Sequence, residues 1–277
     1  MSTCKYCGKD AGMFRSAHQE CVTAFEKGKA EIIDLLFASA KGKVDASNAE
    51  PEVRAIAHRS YIDRKTFQQV VLECLDRAIE HALDDGLLTQ EEERAVADYV
   101  TRYSLDKSQL STSHSYLRLV KAAVLRDLVQ GEIPHHFKFS GTLPINLQKS
   151  ERIIWLFQHV EYLQPRTHTT YYGRSTGVSL RVMKGVYYRV GQFQGNPVRT
   201  TEIATIDKGL LVITNKHLYF VGATKSLRIP YKKIISFQPY SDAVAISRDG
   251  VAKQDIFSTD DPWFTYNLIA NLVSGIV

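Results

Sequence analysis

The chain is short of the features that mark secreted, membrane-spanning or catalytic proteins. No run of about 18 apolar residues is present, so no segment reads as a transmembrane helix. The first residues, MSTCKYCGKD, are polar and charged where a signal peptide needs an apolar stretch. A cytoplasmic location with reduced thiols is therefore expected. There are only four cysteines in 277 residues, and under reducing conditions they read as metal ligands or core residues rather than disulfides. The sequence also lacks a G-x-S-x-G elbow, a G-x-x-x-x-G-K-[ST] loop, an H-E-x-x-H helix and a G-x-G-x-x-G fingerprint. With no such anchor for catalysis, the chain is expected not to be an enzyme.

Acidic residues are scarce in one region only. Up to Ser150 there are 20 Lys/Arg and 21 Asp/Glu, whereas beyond it there are 15 and 9. From Leu163 to Thr201 the six basic residues Arg166, Arg174, Arg181, Lys184, Arg189 and Arg199 face no acid at all. The basic excess thus belongs to the C-terminal part, where an anionic partner is expected.

Three of the cysteines lie close together. Cys4-x2-Cys7 and His18-x2-Cys21 form two ligand pairs separated by a short loop, the spacing of a closed tetrahedral Zn²⁺ site. Gly8 and Gly12 suit the turns, and Ser16 is a candidate N-cap for a helix that places His18 and Cys21 on one face. The arrangement resembles small zinc-ribbon or treble-clef knuckles. Four protein ligands leave no open coordination position, so one structural zinc per chain is expected, acting as a fold-stabilising clasp. Cys74 belongs instead to an apolar stripe from Phe67 to Leu83 with helical spacing and reads as a buried, inert thiol.

Lys41 to Ala49 reads as a linker and Pro51 as a helix opener. Helices are predicted over Pro51 to about Leu83, Thr89 to Tyr103 and Ser113 to Gln130, with Asp84-Asp85-Gly86 and Asp106 to Thr112 as separators. Thr89 and Glu92 form a capping box. An EF-hand is excluded, because its first and third ligand positions would be His81 and Leu83. The phrase around Asp85-Gly86-Leu87-Leu88-Thr89 resembles TerB-like helical domains. His135 and His136 read as surface residues of a connector.

Past Pro134 the pattern turns to short β-rich runs. Strands are predicted over Glu151–Leu163, Thr167–Tyr172, Val178–Val182, Val186–Val190, Val198–Thr205, Leu210–Thr214, His217–Val221, Ser226–Pro230, Ile234–Pro239, Ala243–Ser247 and Lys253–Phe257. The predicted turns are Asp207-Lys208-Gly209, Asn215-Lys216, Ala223-Thr224 and Arg248-Asp249-Gly250. Asp260-Asp261-Pro262 caps a last helix carrying Trp263, Phe264, Tyr266, Leu268, Ile269 and Leu272. The run Gly209-Leu210-Leu211-Val212-Ile213-Thr214-Asn215-Lys216-His217-Leu218-Tyr219-Phe220, followed by Ile229-Pro230-Tyr231, resembles GRAM and bacterial PH-like domains. That resemblance implies a bacterial or phage origin and a non-enzymatic adaptor that docks on a protein partner or an anionic membrane lipid.

The fold expected is multi-domain α+β. It comprises a zinc module over 1–40, a helical bundle over 51–131, and a PH/GRAM-like antiparallel β barrel closed by a C-terminal helix over 145–277. The candidate anion or partner contacts are Lys216, Lys225, Arg228, Lys232 and Lys233, with Arg174, Arg181, Lys184 and Arg189. His217 stands where the family phrase often has arginine. Tyr171, Tyr172, Tyr187, Tyr188 and Phe193 interleave with the basic residues of the 163–201 segment, which makes nucleic-acid binding, with help from the zinc module, the alternative.

Overall fold

The structure, a computed structural model, describes residues 2–84, 88–136, 141–171, 180–183, 186–188 and 197–275. Among these are seven α-helices and a seven-stranded antiparallel sheet, an α+β architecture. The chain divides into two compact units, Met1–Arg126 and Asp127–Val277.

Six helices account for most of the first unit: α1 (Gln19–Ala40), α2 (Ala46–Arg59), α3 (Arg64–Ala82), α4 (Gln90–Arg102), α5 (Lys107–Thr112) and α6 (His114–Val129), the unit boundary falling inside α6. The helix expected from Pro51 to Leu83 is two helices. Pro51 does not open α2. The chain turns helical five residues earlier, where the Asp45 carboxylate accepts from the Ser47 N–H at 2.7 Å. The proline then removes the donor to an exposed first-turn carbonyl, a tolerable loss near a helix start. The break between α2 and α3 is a Schellman closure, in which the Ile62 N–H bonds the Ala57 carbonyl at 2.9 Å across Tyr61 at φ 56°. Glycine usually occupies that left-handed position, and tyrosine hid the stop. Asp63 restarts the helix by accepting from the Thr66 N–H at 2.8 Å.

Helix α5 falls in the expected separator. Its Asp106 and Gln109 form a reciprocal capping box, as Thr89 and Glu92 do at α4. The bundle core collects Ile32 and Leu36 of α1, Val53 and Ile56 of α2, Leu75 and Ile79 of α3, and Val96 and Tyr99 of α4. The one polar side-chain atom of Tyr99 is satisfied, its hydroxyl donating to the Val71 carbonyl at 3.0 Å. Gly28 lets α1 approach the α2 end closely, since a Cβ there would lie 2.0 Å from the Ser60 hydroxyl. Cys74 is buried in this core as expected, and burial pushes its thiol up to about 11.

In the second unit the sheet order is β6-β5-β4-β1-β9-β8-β7. The strands are β1 (Ile153–Tyr171), β4 (Pro197–Thr214), β5 (His217–Gly222), β6 (Ser226–Pro230), β7 (Ile234–Pro239), β8 (Val244–Arg248) and β9 (Asp255–Ser258). A separate hairpin pairs β2 (Leu180–Met183) with β3 (Val186–Tyr188). The sheet is open: β6 and β7 are its edges, joined by a 3-10 turn at Tyr231–Lys233, and among the described residues no ladder closes a barrel. Two pairs of expected strands are fused. Strands β1 and β4 run 19 and 18 residues and bend at bulges, one of them around His159 at φ 56°.

Asp207-Lys208-Gly209 is therefore not a turn. These residues lie inside β4 opposite Tyr162, Glu161 and Val160. Gly209 is required for close approach, because a Cβ would sit 2.0 Å from the Val221 carbonyl oxygen on β5. The Asp207 carboxylate organises the next turn instead, accepting from the Thr224 and Lys225 N–H groups, both at 2.7 Å. Those bonds, Thr224's foremost, lower its pKa to about 2.

The last helix, α7 (Pro262–Val273), starts as expected, with Asp261 accepting from the Phe264 N–H at 3.0 Å. It buries Phe264, Leu268, Ile269 and Leu272, and Phe264 meets Trp155 edge-on at 4.9 Å. Trp263, one of the apolar residues of this helix, is 66% exposed and stacks on Tyr266. Beneath the sheet surface Asp255 has no exposure, yet it accepts from the Tyr162 hydroxyl at 2.6 Å, from Gln164 Nε2 at 3.2 Å and from Arg248 Nε.

Candidate metal centre and basic sheet end

The N-terminal segment is too short to bury a core of its own: Cys4, Ala11 and Cys21 are its cluster of buried apolar residues. Its order comes from backbone closure around sulfur. The Cys4 N–H bonds the Lys9 carbonyl at 2.7 Å, Gly8 takes φ 71° with its N–H on the Cys4 carbonyl, and the His18 N–H points at Cys4 Sγ at 3.4 Å. The N-cap of α1 is His18 rather than Ser16, and its side chain makes no cap bond. The imidazole is turned into the cysteine cluster instead, on the same helical face as Cys21 one turn on.

The donor atoms of Cys4, Cys7, His18 and Cys21 all lie within 4.8 Å of one another. His18 Nδ1 is 3.3 Å from Cys7 Sγ and 3.8 Å from Cys21 Sγ. The edges of a tetrahedral thiolate site measure about 3.8 Å when the metal–sulfur bonds are about 2.3 Å. The tautomer is set by the other ring nitrogen: Nε2–H donates to the Asp10 carbonyl at 2.9 Å, leaving the Nδ1 lone pair for a metal. Burial pushes the Cys4 thiol up, but the N–H groups of Cys7, His18 and Tyr6 outweigh it and bring the pKa down to about 6. Cys21 goes the other way, to about 11, through burial and the neighbouring sulfurs. Crowded thiolates repel one another until a cation sits between them. The four residues can hold one metal ion, and the donor set fits one that prefers three thiolates and an imidazole.

Tyr61 joins this neighbourhood without any local signal in the sequence. The charges of Cys21 and its companion thiols raise the pKa of the Tyr61 hydroxyl, so its O–H stays protonated beside the site. The contribution was hidden because Tyr61 lies 40 residues from Cys21 and enters through the α2–α3 break.

The basic residues selected from the sequence are only partly gathered. Lys216 follows β4, while Lys232 and Lys233 end the turn after β6. The pairing of His217 with Pro230 puts all three at one end of the sheet. Lys225 lies at the opposite end of β5, about 20 Å away along the strand. Arg228 sits mid-strand opposite Tyr219, exposed. Arg181 is in β2, and Arg174, Lys184 and Arg189 lie outside the described residues.

Two further basic residues belong to the first end. Lys149 and Arg152 flank the start of β1, both exposed. Lys216 Nζ donates to the Lys149 carbonyl at 2.8 Å, which fixes its stem, and Lys233 pairs with the exposed Asp249 at 2.9 Å.

Under this end lies a polar plug. Glu151, with a fully buried side chain, accepts from Thr214 Oγ1 at 2.6 Å, the Gln148 N–H at 2.8 Å and the Tyr219 hydroxyl at 2.9 Å, and contacts His217 Nδ1 at 2.9 Å. His217 is thus committed to an internal carboxylate. Burial alone would raise the Glu151 pKa, yet these bonds hold it below the ordinary carboxylate range. A depressed folded pKa contributes stability above the unfolded value of about 4.3, and that stability is lost as pH falls through the folded value. Acid unfolding of the second unit below about pH 4 is expected to flatten in Glu151→Gln, measured as the pH dependence of its denaturant midpoint. An unchanged slope would remove Glu151 from the acid response.

His136, expected as a plain surface residue, is partly buried and paired with Asp127, Nε2 to Oδ2 at 2.6 Å. No helix among the described residues is long and apolar enough to cross a membrane. No family model and no curated protein matches the chain.

Proposed function

We propose that the chain is a non-enzymatic binding protein whose second unit is a PH/GRAM-like docking domain for anionic membrane lipid. In this reading Cys4, Cys7, His18 and Cys21 hold one structural Zn²⁺. The observation that carries it is the charge at one end of the sheet, where Lys149, Arg152, Lys216, Lys232 and Lys233 gather against the exposed carboxylate of Asp249. Lysines on short turns reach phosphate oxygens without reorganising the strands, and each adds about 1 kcal/mol toward an anionic surface. The buried Glu151 plug holds the β1 start and the β4–β5 turn together, so the cationic groups are carried on a fixed frame.

Charge reversal at Lys232 and Lys233 is expected to lower the partition coefficient onto vesicles containing phosphatidylserine about tenfold or more, measured by co-sedimentation. Binding that survives the reversal, and that does not weaken with salt, would count against the lipid reading and leave a protein partner as the ligand of this domain.

Nucleic-acid binding has an observation of its own. Among the described residues β1 pairs from Gln164 onward with β4 alone, giving a two-stranded ribbon with Arg166 and Arg199 along it. A basic ribbon of this width fits a DNA groove. Retention on duplex DNA that falls steeply with salt, lost in Arg166→Glu together with Arg199→Glu, would favour this second reading.

A further inference from the structure

The loop between the two ligand pairs ends in two large apolar side chains that stand out into solvent. Met13 is 76% exposed and Phe14 is 97% exposed. Phe14 also stands at φ 68°, a left-handed conformation that is costly for an aromatic residue and seldom kept without a structural cause. The cause is a brace: the Ser2 hydroxyl bonds the Gly12 carbonyl at 2.7 Å and the Arg15 carbonyl at 2.5 Å, on either side of the tip. A second tie runs from the Lys5 N–H to the Ser16 carbonyl at 2.9 Å. The turn is therefore built to present Met13 and Phe14 outward, and the metal ligands at Cys7 and His18 fix both of its roots.

The charge around the tip selects its partner. Arg15 adjoins Phe14, Lys5 is tied to the loop base and Lys9 is exposed, whereas Asp10 is the one carboxylate between Ser2 and His18. Part of that carboxylate is occupied by the Gly12 N–H at 2.9 Å. A narrow apolar tip with a cationic collar matches an anionic bilayer, where apolar side chains pass below the headgroups while ammonium and guanidinium groups stay at phosphate level. We infer that the Met13-Phe14 tip of the metal-held loop inserts into anionic membrane. This contact belongs to the first unit and goes beyond the sheet-end site proposed above.

The test uses the whole 277-residue chain, metal-loaded, with vesicles of phosphatidylcholine alone or with phosphatidylserine added. Met13→Ser combined with Phe14→Ser is expected to lower the partition coefficient onto phosphatidylserine vesicles at least tenfold while the chain keeps its bound metal. Phe14→Trp is expected to gain a blue-shifted emission component that brominated lipid quenches and the parent chain lacks. An unchanged partition coefficient in the double serine variant overturns the inference, as does an emission of the Phe14→Trp variant that vesicles do not alter. Loss of binding in Lys232→Glu with Lys233→Glu, but not in the tip variant, leaves the sheet-end reading standing and removes this one. The reverse pattern retains the tip and removes the sheet end. Capture of a soluble protein by the tip without any vesicle binding also overturns it.

Discussion

Converting both Cys4 and Cys21 to serine is expected to take bound metal from one ion per chain to none, as measured by elemental analysis of the purified protein. The same change is expected to open residues 2–18 to trypsin at Lys5, Lys9 and Arg15. The reason is the size of the local core: the segment buries only Cys4, Ala11 and Cys21, and its backbone bonds depend on the sulfur cluster. A structural zinc ion, the metal proposed for this site, contributes about 10–16 kcal/mol of binding free energy, far more than so small a cluster can supply. The bundle is expected to survive, because Ile32 and Leu36 lie more than two turns beyond Cys21 in α1 and pack among α2, α3 and α4. Far-UV dichroism should therefore change little while the N-terminal segment becomes cleavable. Metal retained at one ion per chain in the double variant would refute the ligand assignment.

Replacing Asp255 with alanine is expected to destabilise the second unit by about 3–5 kcal/mol, the usual cost of stranding a buried charge. Asp255 is fully buried and Arg248 is 18% exposed, so the guanidinium would gain little water in exchange for its partner. The Tyr162 hydroxyl and the Gln164 amide would lose an acceptor in the same step. The emission of Trp155, buried against Phe264, reports unfolding of this unit and gives the midpoint directly. Substituting Arg248→Met together with Asp255→Leu is expected to recover most of the loss, since removing both charges removes the penalty. A loss below about 1 kcal/mol in the single variant would mean that water reaches Arg248 and that the pair is no anchor.

What the sequence made legible follows from how local each signal is. The four-residue group that can hold a metal is readable because its spacing is set within 18 residues and no distant part of the chain is needed to bring it together. The capping boxes at Thr89 and the Asp261-Pro262 helix start were equally local. The Asp106–Gln109 box had the same signature, yet the helix it opens is six residues long and offers no periodicity to notice. Strand fusion was not legible. Asp207-Lys208-Gly209 has turn composition, but Gly209 is demanded by Val221 on the neighbouring strand and Asp207 by the Thr224 turn, both set by tertiary contacts. Tyr61 concealed a helix stop because a Schellman closure was realised without glycine. Glu151 looked like any strand-flanking acid; only the pairing of β1 with β4, then β4 with β5, brings Thr214, His217 and Tyr219 around it. The basic sheet end is legible only in part for the same reason, since Lys149 and Arg152 join Lys216 only through the ladder.

The register of the sheet also bears on how fast the molecule can be made. Strand β9 meets β1 through the pairing of Glu161 with Ser258, so nearly a hundred residues must be looped before that rung can form. Loop-closure entropy is spent ahead of any reward from such contacts, whereas α2, α3 and α4 find their partners within neighbouring segments. The helical unit is therefore expected to fold early and the sheet late, with Asp255 and Arg248 becoming a desolvated pair only at the last stage. Until then the long β1 and β4 ribbon is a pair of unshielded strands, the stage at which self-association competes most strongly with folding.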